Sequence, residues 1–450
     1  MNGPAGTMPY PQNKAARAWS RLAMIWGGYY LVSFTLGQNP AYMQLTIWVG
    51  TALVGLFTLP VFLRRVRLRD VPRECFLLGG FFVWALPGGF FAENMTMFAR
   101  HLKMVFEFAM LLLFVSVILK NSGGVKWFYL AFVGVAVLRI VSGEDPISFA
   151  RIADTQVVAR ITSANAIGYY CAVGIIAVLA LMRETTRMWM RGLLVAGGGV
   201  ALYGVVLSAS RGAMLVLMAT AILWPALCMV GAARSKAKAI VGSVVILAVS
   251  YWTFQAIIQN TYMGVRFTNA AQLEDGSSQQ RLELFTIGLR MFAKNPIFGN
   301  GLGQFSAVSG IGRYAHNEIA EVASATGLPG LILYYSIYWV AWRRLSWSLR
   351  YLDDPLTRYR VNMIRLILLT LLISGSVSRP VFLTQDGMFL VGVVVGMAHW
   401  AERMARMGYR QAIPGPVPGW GPPGFPVCPG PVVPPAVAFA PPRRPDVVSG

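Results

Sequence analysis

Three residues of this sequence combine a reactive side-chain type with a local pattern that fixes their position. Arg211 stands in the very short turn 208–212, whose sequence SASRG separates two apolar stretches. Arg281 begins a stretch with helical periodicity, and His316 precedes Asn317 at the start of another apolar stretch. An arginine can hold an anion through its planar fork of donors, and a histidine, with a pKa of about 6.5, can accept a proton at neutral pH. Such a set could bind an anionic group beside a proton acceptor.

Each of these side chains also has an ordinary structural interpretation. A charged group is costly inside a membrane, so an arginine between two apolar stretches can simply extend its guanidinium to the interface. His316 can equally be a polar residue at the start of a helix. The elements that carry these residues are needed to distinguish a site from a solvated surface.

The surrounding sequence is typical of an integral membrane protein. Of the 450 residues, 56% are hydrophobic and 13% are charged, and apolar stretches of about 20 residues recur along the chain. A soluble protein could not bury so much apolar surface. The net charge is +21, but the basic residues form short clusters between the apolar stretches, where they set orientation. Nucleic acid is therefore not expected as a partner.

Apolar stretches of spanning length predict an all-α, polytopic membrane protein with about 12 transmembrane helices, within one integral membrane domain over residues 1–410. The predicted spans are residues 19–37, 41–63, 75–92, 103–119, 125–141, 164–182, 190–208, 212–231, 239–259, 318–342, 361–377 and 382–399. Residues 411–450 contain 13 of the chain's 26 prolines. That composition favours a Pro/Gly-rich, disordered or polyproline-like tail.

The distribution of basic residues orients this domain. If both terminal segments and the even-numbered connections are cytoplasmic, that side carries 27 of the 39 lysines and arginines against 7 acids. The opposite side carries the other 12 against 10 acids. Because basic residues accumulate on the cytoplasmic side, we expect both termini in the cytoplasm.

Two predicted outer loops, residues 142–163 and 260–315, are long enough to build a site. Within the second loop, four large apolar side chains share one face of a helical pattern that ends at Asn295-Pro296. They are Leu282, Phe285, Leu289 and Phe292. The pattern predicts an interfacial helix lying on the membrane. The arginines placed on the outer side are Arg151, Arg160, Arg211, Arg266, Arg281, Arg290 and Arg313.

Three segments around these residues resemble the O-antigen ligase and O-antigen polymerase family. Residues 208–213, SASRGA, are similar to the family's Ser-Arg-Gly signature before an apolar helix. Residues 281–305, RLELFTIGLRMFAKNPIFGNGLGQF, resemble its arginine, amphipathic helix, Asn-Pro stop and Gly-x-Gly-x-x-Phe. Residues 315–331 resemble its His-Asn pair before a Thr-Gly-Leu-x-Gly helix. A fourth, fainter likeness, residues 161–168 with Asn165, lacks the family's proline.

The resemblance implies transfer of a glycan from an undecaprenyl-pyrophosphate carrier to an acceptor hydroxyl on the outer face of the inner membrane. Arg281, Arg211 and Arg160 are then expected to bind the pyrophosphate, with Arg211 also acting in catalysis. His316 is the expected catalytic histidine, as a general base or as a group that orients the acceptor. The acceptor stays open: lipid A core for a ligase, which is favoured, another carrier-linked glycan for a polymerase, or a protein hydroxyl.

Neither a metal nor another cofactor is expected, and membrane lipid is the only further partner. Adjacent acids occur at 144–145 and 274–275, but no Asp-x-Asp spacing suited to a divalent ion occurs in an outer loop. The four cysteines show no paired metal-ligand spacing. The run 299–303, GNGLG, resembles a nucleotide fingerprint only superficially, since no strand precedes it, and it predicts a tight loop.

The alternative from another functional class is a flippase or transporter of the same lipid-linked glycan. Such a protein should carry charged residues at the bilayer midplane and internal repeat symmetry. The only acid near the middle of a predicted span is Glu107, which is expected to pair with Lys103, and no repeat of fixed period occurs. The sequence therefore favours an enzyme over a transporter.

Overall fold

The structure of the protein is a computed structural model. It describes residues 71–118, 122–141, 164–230, 236–261, 276–311, 314–377 and 385–412, and the single residues 264, 265, 267 and 382. All regular elements in these ranges are helices. Chain contacts divide the protein into a compact unit, Met1–Gly408, and a second unit, Tyr409–Gly450. Nearly all of the predicted tail and the predicted loop 142–163 lie outside the described residues.

The helices are α1 (Arg73–Ala85), α2 (Met95–Ile118), α3 (Ser122–Val141), α4 (Ala164–Glu184), α5 (Met188–Leu207), α6 (Arg211–Trp224), α7 (Lys236–Asn260), α8 (Gly276–Lys294), α9 (Glu318–Tyr351), α10 (Pro355–Val377) and α11 (Gln385–Ala412). A 3-10 segment, Leu86–Phe91, follows α1, and a π-helical turn, Pro225–Val230, extends α6. One further helical turn, Phe305–Val308, lies between α8 and α9.

Six of the described helices are long and apolar enough to cross a membrane. They are Arg73–Phe91, Ile167–Glu184, Met188–Leu207, Arg211–Cys228, Ile240–Asn260 and Pro355–Val377. Each coincides with a predicted span, so the multi-pass helical architecture is confirmed. The predicted spans 19–37 and 41–63 lie outside the described residues, and the total of about 12 stays a prediction.

Helix α10 connects two groups of packed helices. In the first group, α4 packs against α3, α5 and α6; in the second, α9 packs against α1 and α8. Helix α10 contacts α4, α6 and α9, and its buried side chains belong to the main hydrophobic core. The ends of α10 are therefore places where residues from both groups can meet.

Ion pairs hold several of these helices together. The guanidinium of Arg344, which is 9% exposed, contacts Glu74 of α1 at 3.0 Å and Glu402 of α11 at 2.9 Å. The predicted pair of Lys103 and Glu107 is confirmed at 3.5 Å. Because a buried ion left without its partner is strongly destabilising, the Arg344 cluster fixes the relative positions of α1, α9 and α11.

The predicted orientation can be tested by cysteine labelling. Arg350 near the end of α9 and Ala307 in the helical turn before it are both exposed. With wild type as background, we expect an impermeant maleimide added to intact spheroplasts to label an Ala307→Cys variant but not an Arg350→Cys variant. Labelling of the Arg350→Cys variant from outside, in cells whose membranes are intact, would reverse the assigned orientation.

Candidate functional site

The turn that carries Arg211 is held by buried polar groups. Ser210, which is 1% exposed, accepts the amide N–H of Ala213 at 3.2 Å and so caps α6. Its hydroxyl also donates to Asn165 Oδ1 of α4 at 2.8 Å. Ala209 has a φ of +45°, an unusual value for a residue other than glycine. The half-buried Arg211 begins α6, where a positive charge opposes the helix dipole, so helix stability does not explain it.

The fainter likeness at 161–168 has a structural explanation that the sequence alone did not supply. A Cβ on Gly168 would stand 2.6 Å from both Ser208 Oγ and Ala213 Cβ, so only glycine lets α4 approach this closely. Together with the Asn165 contact, this approach makes α4 the support of the Arg211 turn. The missed signal was a polar residue and a glycine at the start of an otherwise apolar helix.

The glycine-rich run is the tight loop that the sequence predicts. Gly299, Gly301 and Gly303 have φ values of +68°, +94° and +69°. Glycine adopts such positive values without the steric cost that other residues have. The loop amides pair with carbonyls of α9: Asn300 N–H donates to Ser324 O at 2.8 Å and Gly301 N–H to Ala325 O at 3.0 Å. The second and third family-like segments therefore form one interlocked unit.

This interlock explains why α9 is not the uninterrupted helix predicted over 318–342. Gly327 has a φ of +70° and interrupts the helix. Leu328 N–H donates to Pro296 O at 2.8 Å instead of to a carbonyl of its own helix. A Cβ on Gly327 would stand 2.0 Å from Ile297 O, so the break brings the loop backbone into direct contact with α9.

Helix α1 and the residue before α2 also hold this loop. Trp84 donates from Nε1 to Thr326 O at 3.0 Å, and its ring stacks on Phe298 with 5.1 Å between centroids. The amide of Gln304, which is fully buried, accepts from Asn94 N–H at 2.7 Å and donates to Asn94 O at 2.9 Å. Backbone polar groups of the loop are thus satisfied internally, which makes it a rigid support.

Helix α8 is the predicted helix of residues 282–292. Its buried side toward α9 carries Leu284, Gly288 and Met291. The predicted apolar face is only partly exposed: Leu282 is 68% and Leu289 42% exposed, whereas Phe285 packs against the buried cluster. An amphipathic helix with a second, exposed apolar face is what an interfacial position requires, and that position stays a prediction.

His316 occupies a strained backbone conformation. Its φ is +55°, and with Ala209 it is one of two non-glycine residues of positive φ in the described ranges. The left-handed region costs a non-glycine residue about 1 kcal/mol or more. The ring of Tyr314 packs on the imidazole with 4.2 Å between centroids, and the side chain stays partly exposed.

Hydrogen bonds on both sides of His316 hold this conformation. On one side, Ala315 N–H donates to Glu321 Oε2 at 2.6 Å. On the other, Asn317 caps α9 by accepting Ala320 N–H at 3.1 Å, and its Nδ2 donates to Ser376 O at 2.8 Å. The strain is therefore maintained by the fold around the histidine.

The carboxylate of Glu318 connects the start of α9 to the segment after α10. It is fully buried, and its Oε1 accepts both the Tyr334 hydroxyl at 2.5 Å and Phe382 N–H at 3.0 Å. This contact adds a further fixed point next to His316.

Arg281 and the His316 segment meet at the C-terminal end of α10. A guanidinium nitrogen of Arg281 donates to Val377 O at 3.3 Å, and the neighbouring carbonyl of Ser376 accepts from Asn317. Arg281 and Asn317, the residue next to His316, are thus attached to consecutive residues of one helix end. Helix ends leave carbonyls unsatisfied, which explains why polar side chains collect there.

The first turn of α6 lies beside the same part of α10. Ile373 packs against the buried cluster that includes Ala213 and Met214, the residues directly after the Arg211 turn. Ile373 precedes Ser376 by less than one helical turn. The last turns of α10 therefore share a buried cluster with the start of α6 and also bind Arg281 and the segment of His316.

Arg160, the third predicted pyrophosphate ligand, lies outside the described residues, as do the acids at 144–145 and 274–275. In the part of the chain that the structure describes, no group of three or more His, Cys, Asp or Glu side chains has an arrangement that could hold a metal ion. The absence of a metal requirement remains a prediction about the reaction.

Comparison with known proteins gives one family match. Residues 196–335 match the profile of the family described as O-antigen ligase. The matched region contains the Arg211 turn, α8, the glycine-rich loop and the start of α9, and it excludes Asn165 and α10. No curated protein matches the chain.

Proposed function

We propose that this protein transfers a glycan from an undecaprenyl-pyrophosphate carrier to an acceptor hydroxyl on the outer face of the bacterial inner membrane. The match of residues 196–335 to the O-antigen ligase family supports this proposal. Lipid A core is the proposed acceptor, which makes the reaction a ligation. Polymerisation onto another carrier-linked glycan and transfer to protein differ from it in acceptor only.

One observation carries the assignment of the site. The two non-glycine residues of positive φ in the described ranges are His316 itself and Ala209, two positions before Arg211. Strained backbone persists only where the surrounding structure enforces it, and it concentrates at functional sites. An arginine that only extends its guanidinium to the membrane interface would not need such strain, and neither would a histidine that only precedes a helix.

The proposed reaction assigns a task to each side chain. The acceptor oxygen forms a bond to the anomeric carbon, and the bond from that carbon to the pyrophosphate oxygen breaks with its electron pair leaving on the carrier. His316 takes the acceptor's proton or orients the hydroxyl. Arg211, Arg281 and Arg160 neutralise the charge that develops on the pyrophosphate, a task suited to the bidentate guanidinium.

Attachment to α10 supports a common location for these side chains. Arg281 and Asn317 bind adjacent carbonyls, and Ile373 of the same helix packs against the buried cluster to which Ala213 of α6 belongs. We propose that Arg211, Arg281 and His316 face one cavity at this end of the bundle. The exposed apolar side chains of α8 would then lie at the membrane surface, beside the headgroup of the carrier.

Reconstitution with defined substrates tests this function. Purified protein receives an undecaprenyl-pyrophosphate-linked glycan and, in separate reactions, lipid A core, a second carrier-linked glycan or an acceptor protein. We expect transfer to lipid A core that continues in EDTA without added divalent ions, because the arginines replace a metal in neutralising the leaving group. Transfer to none of the acceptors would reject the function, and activity that EDTA abolishes and Mg²⁺ or Mn²⁺ restores would reject the metal-free mechanism.

A further inference from the structure

We infer that Glu321 is a positioning residue for His316, and that it acts by holding the backbone amide of Ala315 in place. The inference rests on the proposed function, in which His316 handles the acceptor hydroxyl. It concerns a carboxylate that has no direct part in the transfer reaction.

The contact between Glu321 and Ala315 is short and fully enclosed. Glu321 is 1% exposed, and its Oε2 stands 2.6 Å from the Ala315 nitrogen. Ala315 is itself fully buried, in a hydrophobic cluster with Leu284 and Phe305. Because water is excluded there, the Ala315 N–H would be left without any acceptor if this contact were lost, which is costly for a buried amide.

Ordinary helix chemistry does not explain this contact. Asn317 already caps α9, and a capping box would use the third helical residue, which is Ala320, to reach back to the cap amide. Glu321 is the fourth helical residue, and it reaches past the cap and past His316 to Ala315. An acid that only complemented the helix dipole would have no reason to make a buried bond there.

The geometry gives this bond a specific consequence for the histidine. His316, at φ +55°, lies between the amide held by Glu321 and Asn317, which is held to Ser376. Release of either end lets the backbone leave the left-handed region and moves the imidazole. Misplacement of a reacting group by about 1 Å can lower a rate about a hundredfold, so a small shift is sufficient.

Two conservative variants separate hydrogen bonding from charge. Glu321→Gln keeps an acceptor at the same reach but removes the charge, whereas Glu321→Asp keeps the charge but shortens the side chain by one methylene. We expect the glutamine variant to stay within about threefold of the wild-type kcat and the aspartate variant to fall about tenfold or more, with KM changed by less than about twofold. Glutamine as impaired as aspartate, or aspartate with wild-type kcat, would overturn the inference.

A second readout does not depend on turnover. Diethyl pyrocarbonate modifies histidines, and mass spectrometry of the His316 peptide gives the modification rate of that residue in each variant. We expect an altered rate for Glu321→Asp and an unchanged rate for Glu321→Gln, and equal rates in all three proteins would contradict the inference. Lack of transfer by the wild type would reject the proposed function, while the modification rates would still report on Glu321. If the aspartate variant does not fold, a loss of more than about tenfold in the glutamine variant is sufficient to overturn the inference.

Discussion

Replacement of His316 by asparagine is expected to lower glycan transfer about a hundredfold or more, the loss typical of a missing general base. Asparagine is the informative substitution because it tolerates the left-handed region, so the backbone at φ +55° can be retained. The bonds made by Ala315 and Asn317 do not involve the His316 side chain and should persist. The measurement is the initial rate of transfer to lipid A core by purified variants, with thermal stability recorded in parallel.

A glycine at the same position separates strain from chemistry. His316→Gly removes the steric penalty of the positive φ, so we expect stability to be unchanged or raised by about 1 kcal/mol while transfer is lost as in the asparagine variant. Increased stability combined with lost activity would show that the fold maintains the strain for the side chain. Transfer within about tenfold of wild type in both variants would return His316 to the role of a polar residue before a helix.

The sequence predicts the helical, multi-pass architecture because spanning helices require apolar stretches of fixed length. It also predicts the tight loop at 299–303, because three closely spaced glycines have few other uses next to an Asn-Pro stop. Both are local properties. The six candidate spans and the positive φ values of the loop agree with these predictions.

Contacts between distant segments could not be predicted in this way. Gly327 and Pro329 disfavour a regular helix locally. Periodicity within 318–342 gives no sign, however, that Leu328 N–H bonds Pro296 O at the break. Helix α8 has two apolar faces, and only the position of α9 determines that Leu284 is buried while Leu282 is exposed.

The supporting role of two polar residues could not be predicted for the same reason. Asn165 belongs to the fainter family likeness, but only the structure shows its bond to Ser210, which is 45 positions away. Glu321 looks like an ordinary acid of a first helical turn, because its partner lies outside the helix. Residues that act through others leave a weaker sequence signal than those that contact a substrate, since any side chain of suitable reach can serve.

Substitution of Arg211 by lysine is expected to lower transfer about tenfold or more while membrane insertion and stability remain unchanged. Lysine keeps the positive charge but loses the planar fork that binds two phosphate oxygens at once. The cap of α6 is made by Ser210, so it does not depend on the Arg211 side chain. Because the charge on the pyrophosphate grows as the glycosidic bond breaks, the loss should fall mainly on kcat.

Arg290→Lys is the matched control, since Arg290 is an exposed arginine of α8 without an assigned role in the site. We expect this variant to transfer glycan at the wild-type rate. Both substitutions preserve the charge at the membrane surface, and of these two arginines only Arg211 is proposed to contact pyrophosphate. Equal losses in the two variants would indicate a general requirement for arginine at the lipid interface. A wild-type rate for Arg211→Lys would mean that Arg211 only extends its guanidinium to the membrane interface. The strained turn at Ala209 would then require another explanation.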